Sequence, residues 1–173
     1  MKILAFAGSP SKNSINKKLA TYVAHLFKNA EIEVLDLNDY EMPLFSVDIE
    51  KTIGHHPLAQ ALLNKIALSD FIVLSLAENN SNYSAAFKNV FDWCSRINVK
   101  VFQQKPMLLM AASDGKRGGA NVLEIAQKAF PRYGADIKAT FSFPTFYDNF
   151  DIKNGSISTP ELDAAIKKLG SEL

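Results

Sequence analysis

The chain has a single cysteine, Cys94, among 173 residues. No intramolecular disulfide can form, and a zinc site built on cysteines is excluded. Charge of one sign is missing too: 19 Lys and Arg stand against 18 Asp and Glu, a net +1. This balance gives no reason to expect nucleic acid or an anionic membrane as partner, and it argues against a strongly acidic electron carrier. No apolar run approaches the ~18 residues that would cross a bilayer. The first run, Ile3 to Ala7, follows one basic residue and stops at Gly8-Ser9-Pro10. It reads as the first strand of a cytoplasmic protein, not as a secretory signal. Linkers, repeats and low-complexity tracts are also lacking, so residues 1–173 are expected to form one domain.

What is present is an alternation of short apolar runs with helical spacing. Ile3–Ala7 shows no polar alternation, as in a strand buried on both faces. Ile15, Leu19, Val23, Leu26 and Phe27 then lie on one face of a helix. Ile32, Val34 and Leu35 mark a second strand, with Glu33 and Asp36 suiting a sheet edge. After a loop holding Pro43, Gly54 and Pro57 come a helix on Leu58, Leu62 and Ile66 and the most apolar strand, Phe71–Leu76. Three further units follow: a helix on Phe87, Val90, Phe91 and Cys94; strand Pro106–Ala112 with a helix on Val122, Ile125, Ala129 and Phe130; and strand Ile137–Phe143 with a helix on Leu162, Ala165, Ile166 and Leu169. Thr159-Pro160 opens the last helix, with threonine as cap.

Five strand–helix repeats with buried strands imply an α/β fold, a parallel sheet with helices on both faces. Order 2-1-3-4-5 puts the weaker second strand at an edge. Ligands of such sheets bind at the carboxyl ends of the strands near the switch point, so the loops after strands 1, 3 and 4 are the ones to read.

The loop Gly8-Ser9-Pro10-Ser11-Lys12-Asn13-Ser14-Ile15-Asn16 matches neither a Walker P-loop nor G-x-G-x-x-G. Its serines, asparagines and helix start suit a phosphate, although a well-capped helix would use the same residues. Lys17 and Lys18 in the first helical turn oppose the helix dipole, which a bound dianion would offset. The loop Ala77-Glu78-Asn79-Asn80-Ser81-Asn82 offers many hydrogen-bonding groups after an apolar strand, as an ordinary turn also would. Ser113-Asp114-Gly115-Lys116-Arg117-Gly118-Gly119 has glycines that permit either close ligand approach or tight turns. All three loops fall at one sheet edge.

From the first strand to the fourth helix, these segments resemble the NADPH-dependent FMN reductase family, whose fold is a flavodoxin-like three-layer sandwich. The family's G-S-x-R-x-x-S-x-N-x-x-L-A reads here as Gly8 to Ala20, with Ser11 at the usual arginine and Lys12 beside it. The resemblance puts Ser9, Ser14 and Asn16 on the phosphate-binding positions and brings Ser11 and Ile15 into the cofactor site with them. P-E-Y-N-x-S reads as Ala77 to Asn82, so Glu78, Asn79, Asn80 and Ser81 would border the flavin ring, without the proline and the tyrosine. L-K-N-x-x-D-W reads as Phe87 to Trp93, and S-P-G-x-x-G-G as Ser113 to Gly119, which adds Ser113, Gly115, Gly118 and Gly119 to the site.

The resemblance implies FMN and NADPH or NADH as cofactors. Hydride would pass from nicotinamide to FMN, and electrons on to a quinone, a flavin or a similar small acceptor. No side chain need act as acid or base. It further implies a homodimer or homotetramer; Trp93 could be a core residue, and the resemblance suggests a place at the subunit contact. The other reading is a flavin-binding electron carrier or sensor without nicotinamide turnover. His55 and His56 are adjacent without an acidic cluster, and read as a solvated loop, so no metal is expected. Cys94 on an apolar helix face reads as a small buried hydrophobe.

Overall fold

A computed structural model describes residues 1–172. Five parallel strands make the main sheet: β1 (Lys2–Gly8), β2 (Glu31–Leu35), β3 (Phe71–Leu76), β6 (Lys105–Ala112) and β7 (Ala135–Phe143). Their order is β2-β1-β3-β6-β7, the expected 2-1-3-4-5 when these five are counted alone. The fold is flavodoxin-like. β2 is at the edge and its burial alternates, with Glu31 and Glu33 exposed, whereas all six residues of β3 are buried.

Successive side chains of a strand face opposite ways, and the two cores follow. Leu4 and Phe6, Ile72 and Leu74, and Met107 and Leu109 pack beneath α3 (Pro57–Leu68), α4 (Ala85–Ile97) and α5 (Ala120–Ala129). Ile3 and Ala5, Phe71 and Val73, and Leu108 and Met110 face α1 (Ile15–Ala24) and α7 (Pro160–Glu172). Each fully buried Leu, Ile or Phe contributes ~1.5–3 kcal/mol. That supply on both faces is what lets the central strands be almost wholly apolar, with Ser75 the polar residue of β3.

Several elements lie outside the expected repeats. α2 (Val47–Ile53) fills the expected loop and has no buried residue. β4 (Glu78–Asn79) and β5 (Asn82–Tyr83) pair as a hairpin, as do β8 (Phe150–Asp151) and β9 (Ser156–Ile157) after the short α6 (Phe146–Asn149). Two side-chain readings also change. Trp93 is fully buried in its own chain, donating to the Pro43 carbonyl at 2.8 Å with Phe45 edge-on, so it presents nothing to a second subunit. His56 is not simply solvated: it caps α3 by accepting from Leu58 N–H, with its ring 5.8 Å from Trp93. The Thr159 hydroxyl donates to Asn149, tying α7 to α6. Cys94 is buried, and burial pushes its thiol up to about 12, which keeps it protonated. Among the described residues no helix is long and apolar enough to cross a membrane, and no group of three His, Cys, Asp or Glu is placed to hold a metal.

Candidate functional site

The carboxyl ends of β1, β3 and β6 lie side by side, with Gly8 opposite Leu76 and Leu76 opposite Ala111. Above them is a cavity of about 250 Å³. The loop after β1 lines it with Ser9, Ser11, Asn13, Ser14, Ile15 and Asn16. The loop after β3 adds Ala77, Glu78 and Asn79, and the end of β6 adds Ala112, Ser113 and Asp114. Tyr147 of α6 lines it as well.

The loop after β1 is built from short polar contacts. Ser14 caps α1, its hydroxyl accepting from Lys17 N–H at 3.1 Å. Ser14 N–H donates back to the Ser11 carbonyl, and Ser11 N–H to the Ser9 hydroxyl. Ile15 and Asn16 occupy the first two helical positions, where N–H groups have no intrahelical acceptor. With the Ser9 and Ser11 hydroxyls beside them and the positive end of the helix dipole behind, these N–H groups favour an anion. Gly8 permits the close approach at the base of this loop: a Cβ there would lie 2.8 Å from Leu76 Cδ2.

Asn16 does something else with its side chain. Its Oδ1 accepts from Ser75 Oγ at 2.7 Å and from Ala112 N–H at 2.8 Å, and its Nδ2 donates to the Ala112 carbonyl at 3.1 Å. The residue is 2% exposed. The carboxamide fastens the start of α1 to β3 and to the end of β6, just past the last β3–β6 pair. It holds the loop in place and leaves the backbone N–H as its offering to a ligand.

Glu78 is likewise a clamp. Its Oε2 accepts from Val122 N–H at 3.0 Å and its Oε1 from Asn121 Nδ2 at 3.3 Å. The N-cap of α5 is Gly119, which has no side chain to offer, so the carboxylate from the β3 loop caps α5 in its stead. Asn121 also donates to Ser81 Oγ and accepts from Arg117. Asn80 and Ser81, with φ of 50° and 63°, form the hairpin turn. The Tyr83 ring, stacked on Phe130 at 5.8 Å, anchors its other arm.

Of the residues singled out in the sequence, Ser9, Ser11, Ser14, Ile15, Asn16, Glu78, Asn79 and Ser113 come together on the cavity wall. Asn80 and Ser81 are at the hairpin tip, off that wall. So are the glycines. Gly118 and Gly119 are buried under their loop with φ of 57° and 75°; a Cβ would lie 2.5 Å from Ser142 Oγ at the first and 2.7 Å from Ala111 Cβ at the second. Tight packing on β6 and β7 accounts for them. The Gly115 carbonyl accepts from Thr145 N–H at 3.0 Å, and Phe146 N–H donates to the Ser113 carbonyl at 3.0 Å.

These two bonds hold α6 against the loop after β6 and put Tyr147, 63% exposed, at the cavity. Sequence reading missed Tyr147 and gave Asn13 and Asp114 no individual role, although both lie in the loops it read; all three line the cavity. The first follows the fifth strand, which was not among the loops inspected. The lysines also turn out differently. Lys17 forms an ion pair with Asp36 at 2.6 Å, which draws that carboxyl down to about 2. Its cost at the helix start is met by Asp36 and calls for no dianion. Lys12 and Lys18 line a groove next to the site.

Comparison with known proteins agrees with this architecture. The model of the family described as NADPH-dependent FMN reductase matches residues 1–148. An NADPH:quinone oxidoreductase of Arabidopsis thaliana is 29% identical over 131 residues, 73% of this chain and 65% of the relative. A quinone reductase of Escherichia coli is 29% identical over 121 residues, 69% of this chain and 64% of the relative. The matched part is thus just under two thirds of each of these two relatives. Among solved structures, the flavoenzyme NAD(P)H:(acceptor) oxidoreductase of Paracoccus denitrificans superposes with a TM-score of 0.78 at 20% identity, covering 99% of this chain and 93% of that one. That likeness establishes the flavodoxin-like fold, and the family match goes further: the chain belongs to the NADPH-dependent FMN reductases, a family of oxidoreductases.

Proposed function

We propose that this chain binds FMN along the β1–β3–β6 edge and reduces a quinone, a flavin or a similar small acceptor at the expense of NADPH or NADH. The observation that carries the reading is the pair of α1 N–H groups, at Ile15 and Asn16, which have no intrahelical acceptor and stand beside the Ser9 and Ser11 hydroxyls at one end of the cavity. This donor set fits a terminal phosphate. The polar loop at Glu78–Asn79 and the aromatic side chain of Tyr147 fit a planar heterocycle with a carbonyl edge and an apolar face.

FMN, when bound, supplies the redox chemistry, taking hydride from the reduced nicotinamide and delivering electrons to the acceptor. The protein's part is positioning. The loop hydroxyls and N–H groups hold the phosphate oxygens. Asn16 and Glu78 lock the three loops to one another, so that the polar groups of the site are fixed before any ligand arrives and need not reorganise. Asp114 adds a carboxylate at the rim. No side chain of the site is needed to take or give a proton.

We also propose that residues 1–173 work as a single cytoplasmic domain in a homodimer or homotetramer. Leu44, Val47 and Ile53, at 77%, 54% and 49% exposure, supply an apolar surface for a subunit contact in place of the buried Trp93. The deciding experiment is an anaerobic titration of the FMN-loaded protein with NADPH. Loss of the yellow absorbance, regained on adding a quinone, is expected. A protein that binds FMN but is not bleached by either nicotinamide would be a carrier or sensor instead.

A further inference from the structure

A second cavity, about 460 Å³, runs along the outer side of α1. Its helix wall is the row Ser14, Lys17, Lys18, Thr21, Tyr22 and His25, spaced as one face of a helix. At 1.5 Å per residue, that row is about 16 Å long. The facing wall is the β8–β9 hairpin, through Phe150, Ile152 and Gly155. Ser14 belongs to both cavities, so the groove opens off the phosphate loop.

Its lining is cationic at the end near the loop and apolar farther along. Lys12 and Lys18 have no ion-pair partner among the described residues, and no Asp or Glu lines the groove. Tyr22 is fixed, its hydroxyl donating to Asp163 and its ring edge-on to Phe150 at 6.2 Å. Ile152, half exposed, faces the same space. Two ammonium groups without an ion-pair partner, Lys12 exposed and Lys18 half-buried, stand beside the positive end of α1, and together they favour an anion in the groove. An aromatic and aliphatic wall one or two helical turns away suits a flat ring.

We infer that this groove is a subsite for the phosphorylated adenosine end of a dinucleotide, with Lys12 and Lys18 on phosphate and Tyr22 and Ile152 on the base. The length matches the chemistry, since a nucleoside phosphate spans much of a 16 Å row and leaves its linking phosphate near Ser14. Two molecules carry that end: NADPH, with a 2′-phosphate, and FAD. The inference takes from the flavin reading only the neighbouring phosphate loop.

Calorimetric titration of FMN-saturated protein with 2′,5′-ADP tests it, with flavin fluorescence reporting any release of FMN. Saturable binding without FMN release is expected. It should weaken at least tenfold in the Lys12→Ser/Lys18→Ser variant and in Ile152→Glu, which brings a like charge into the groove, while FMN affinity changes less than twofold. The carriers are then separated on the lysine variant. NADPH predicts a KM for NADPH that rises at least fivefold, with a smaller rise for NADH, which shares the linking phosphate and lacks only the 2′-phosphate; FAD predicts a tenfold loss of FAD affinity with FMN unaffected. No binding of 2′,5′-ADP, binding indifferent to all three substitutions, displacement of FMN, or no response in either arm overturns the inference. Protein that takes up 2′,5′-ADP but no FMN would refute the flavin reading and leave the groove site standing.

Discussion

Asn16→Ala gives the sharpest test of how the site is held. The side chain makes three hydrogen bonds in a place where it is 2% exposed, Ser75 is 0% exposed and Ala112 is 2% exposed. Truncation leaves the Ser75 hydroxyl and both backbone groups of Ala112 without this partner. A buried polar group left unsatisfied costs ~1–3 kcal/mol. Three such groups would sum to more, but the vacated space is polar and can admit a water that recovers part of the loss. The expected destabilisation is ~3 kcal/mol in the absence of ligand. Urea unfolding of the flavin-free protein measures it, as a lower midpoint with unchanged slope. Adding Ser75→Ala should give back about 1 kcal/mol, because one orphaned donor disappears. At concentrations where the variant is folded, FMN and riboflavin affinities should fall together, since what is lost is the loop's position and not a phosphate ligand. A destabilisation under about 1 kcal/mol, or a loss confined to FMN, would refute the reasoning and make the carboxamide a phosphate contact.

Glu78→Ala removes the cap that α5 lacks from its own sequence, and should cost ~1–2 kcal/mol in thermal or urea unfolding; a collapse of kcat at unchanged stability would instead make Glu78 a proton carrier. Tyr147→Ala should weaken flavin binding by ~0.5–1.5 kcal/mol in a fluorescence titration, with Tyr147→Phe near wild type. Equal affinities in all three proteins would show that the ring does not meet the flavin. The Asp36 carboxyl, held down to about 2 first of all by its hydrogen bond from Lys17, titrates lower in the folded than in the unfolded chain. Its stabilisation is therefore full above roughly pH 4 and is lost as the pH falls toward about 2. With side chains 33% and 31% exposed, the pair is worth ~1 kcal/mol or less. Unfolding free energies of wild type and Asp36→Asn measured from pH 7 to 2 should converge at the acid end; a constant gap would refute the assignment.

The five strands, their order and the ligand-binding edge are legible in the sequence because burial on both faces leaves a plain signature. Phe71–Leu76 has no exposed residue to break its run, while β2 shows its edge position in alternating glutamates. The small elements leave no such signature. α2 has no buried residue and so no apolar stripe, and two-residue strands such as β4 and β5 are too short to show a period. Trp93 shows the limit of a family pattern: its place on the helix is right, but the chain between β2 and α3 folds back so that Pro43, Phe45 and His56 cover it.

The individual roles within the site are hidden for a different reason, which is that polar residues in these loops have two kinds of work available. A hydroxyl, carboxamide or carboxylate at the end of a strand can bind a ligand or bind the next loop, and composition is the same in both cases. Which one prevails depends on partners far along the chain: Ala112 is 96 residues from Asn16, and Val122 is 44 from Glu78. Once those bonds are seen, a division of labour follows. Residues whose side chains are engaged by protein partners, Asn16 and Glu78, fix the loops. Glycines that would clash as alanine, Gly118 and Gly119, let one loop lie flat on β6 and β7. The groups left over for a ligand are mostly backbone N–H at the start of α1, short hydroxyls, and Asn79 and Tyr147 at the rim. Such a site tolerates side-chain exchange at its rim better than in its clamps. If the site holds FMN as proposed, the serine at position 11 or the asparagine at position 79 changes affinity by one contact, whereas losing Asn16 displaces the whole loop after β1. On this reasoning Asn79→Tyr should tighten FMN only by the ~0.5–1.5 kcal/mol of one aromatic contact. A gain much larger than that would mean that the asparagine now disturbs the loop's backbone, and a loss would mean that Tyr147 already fills the place a tyrosine at position 79 would take.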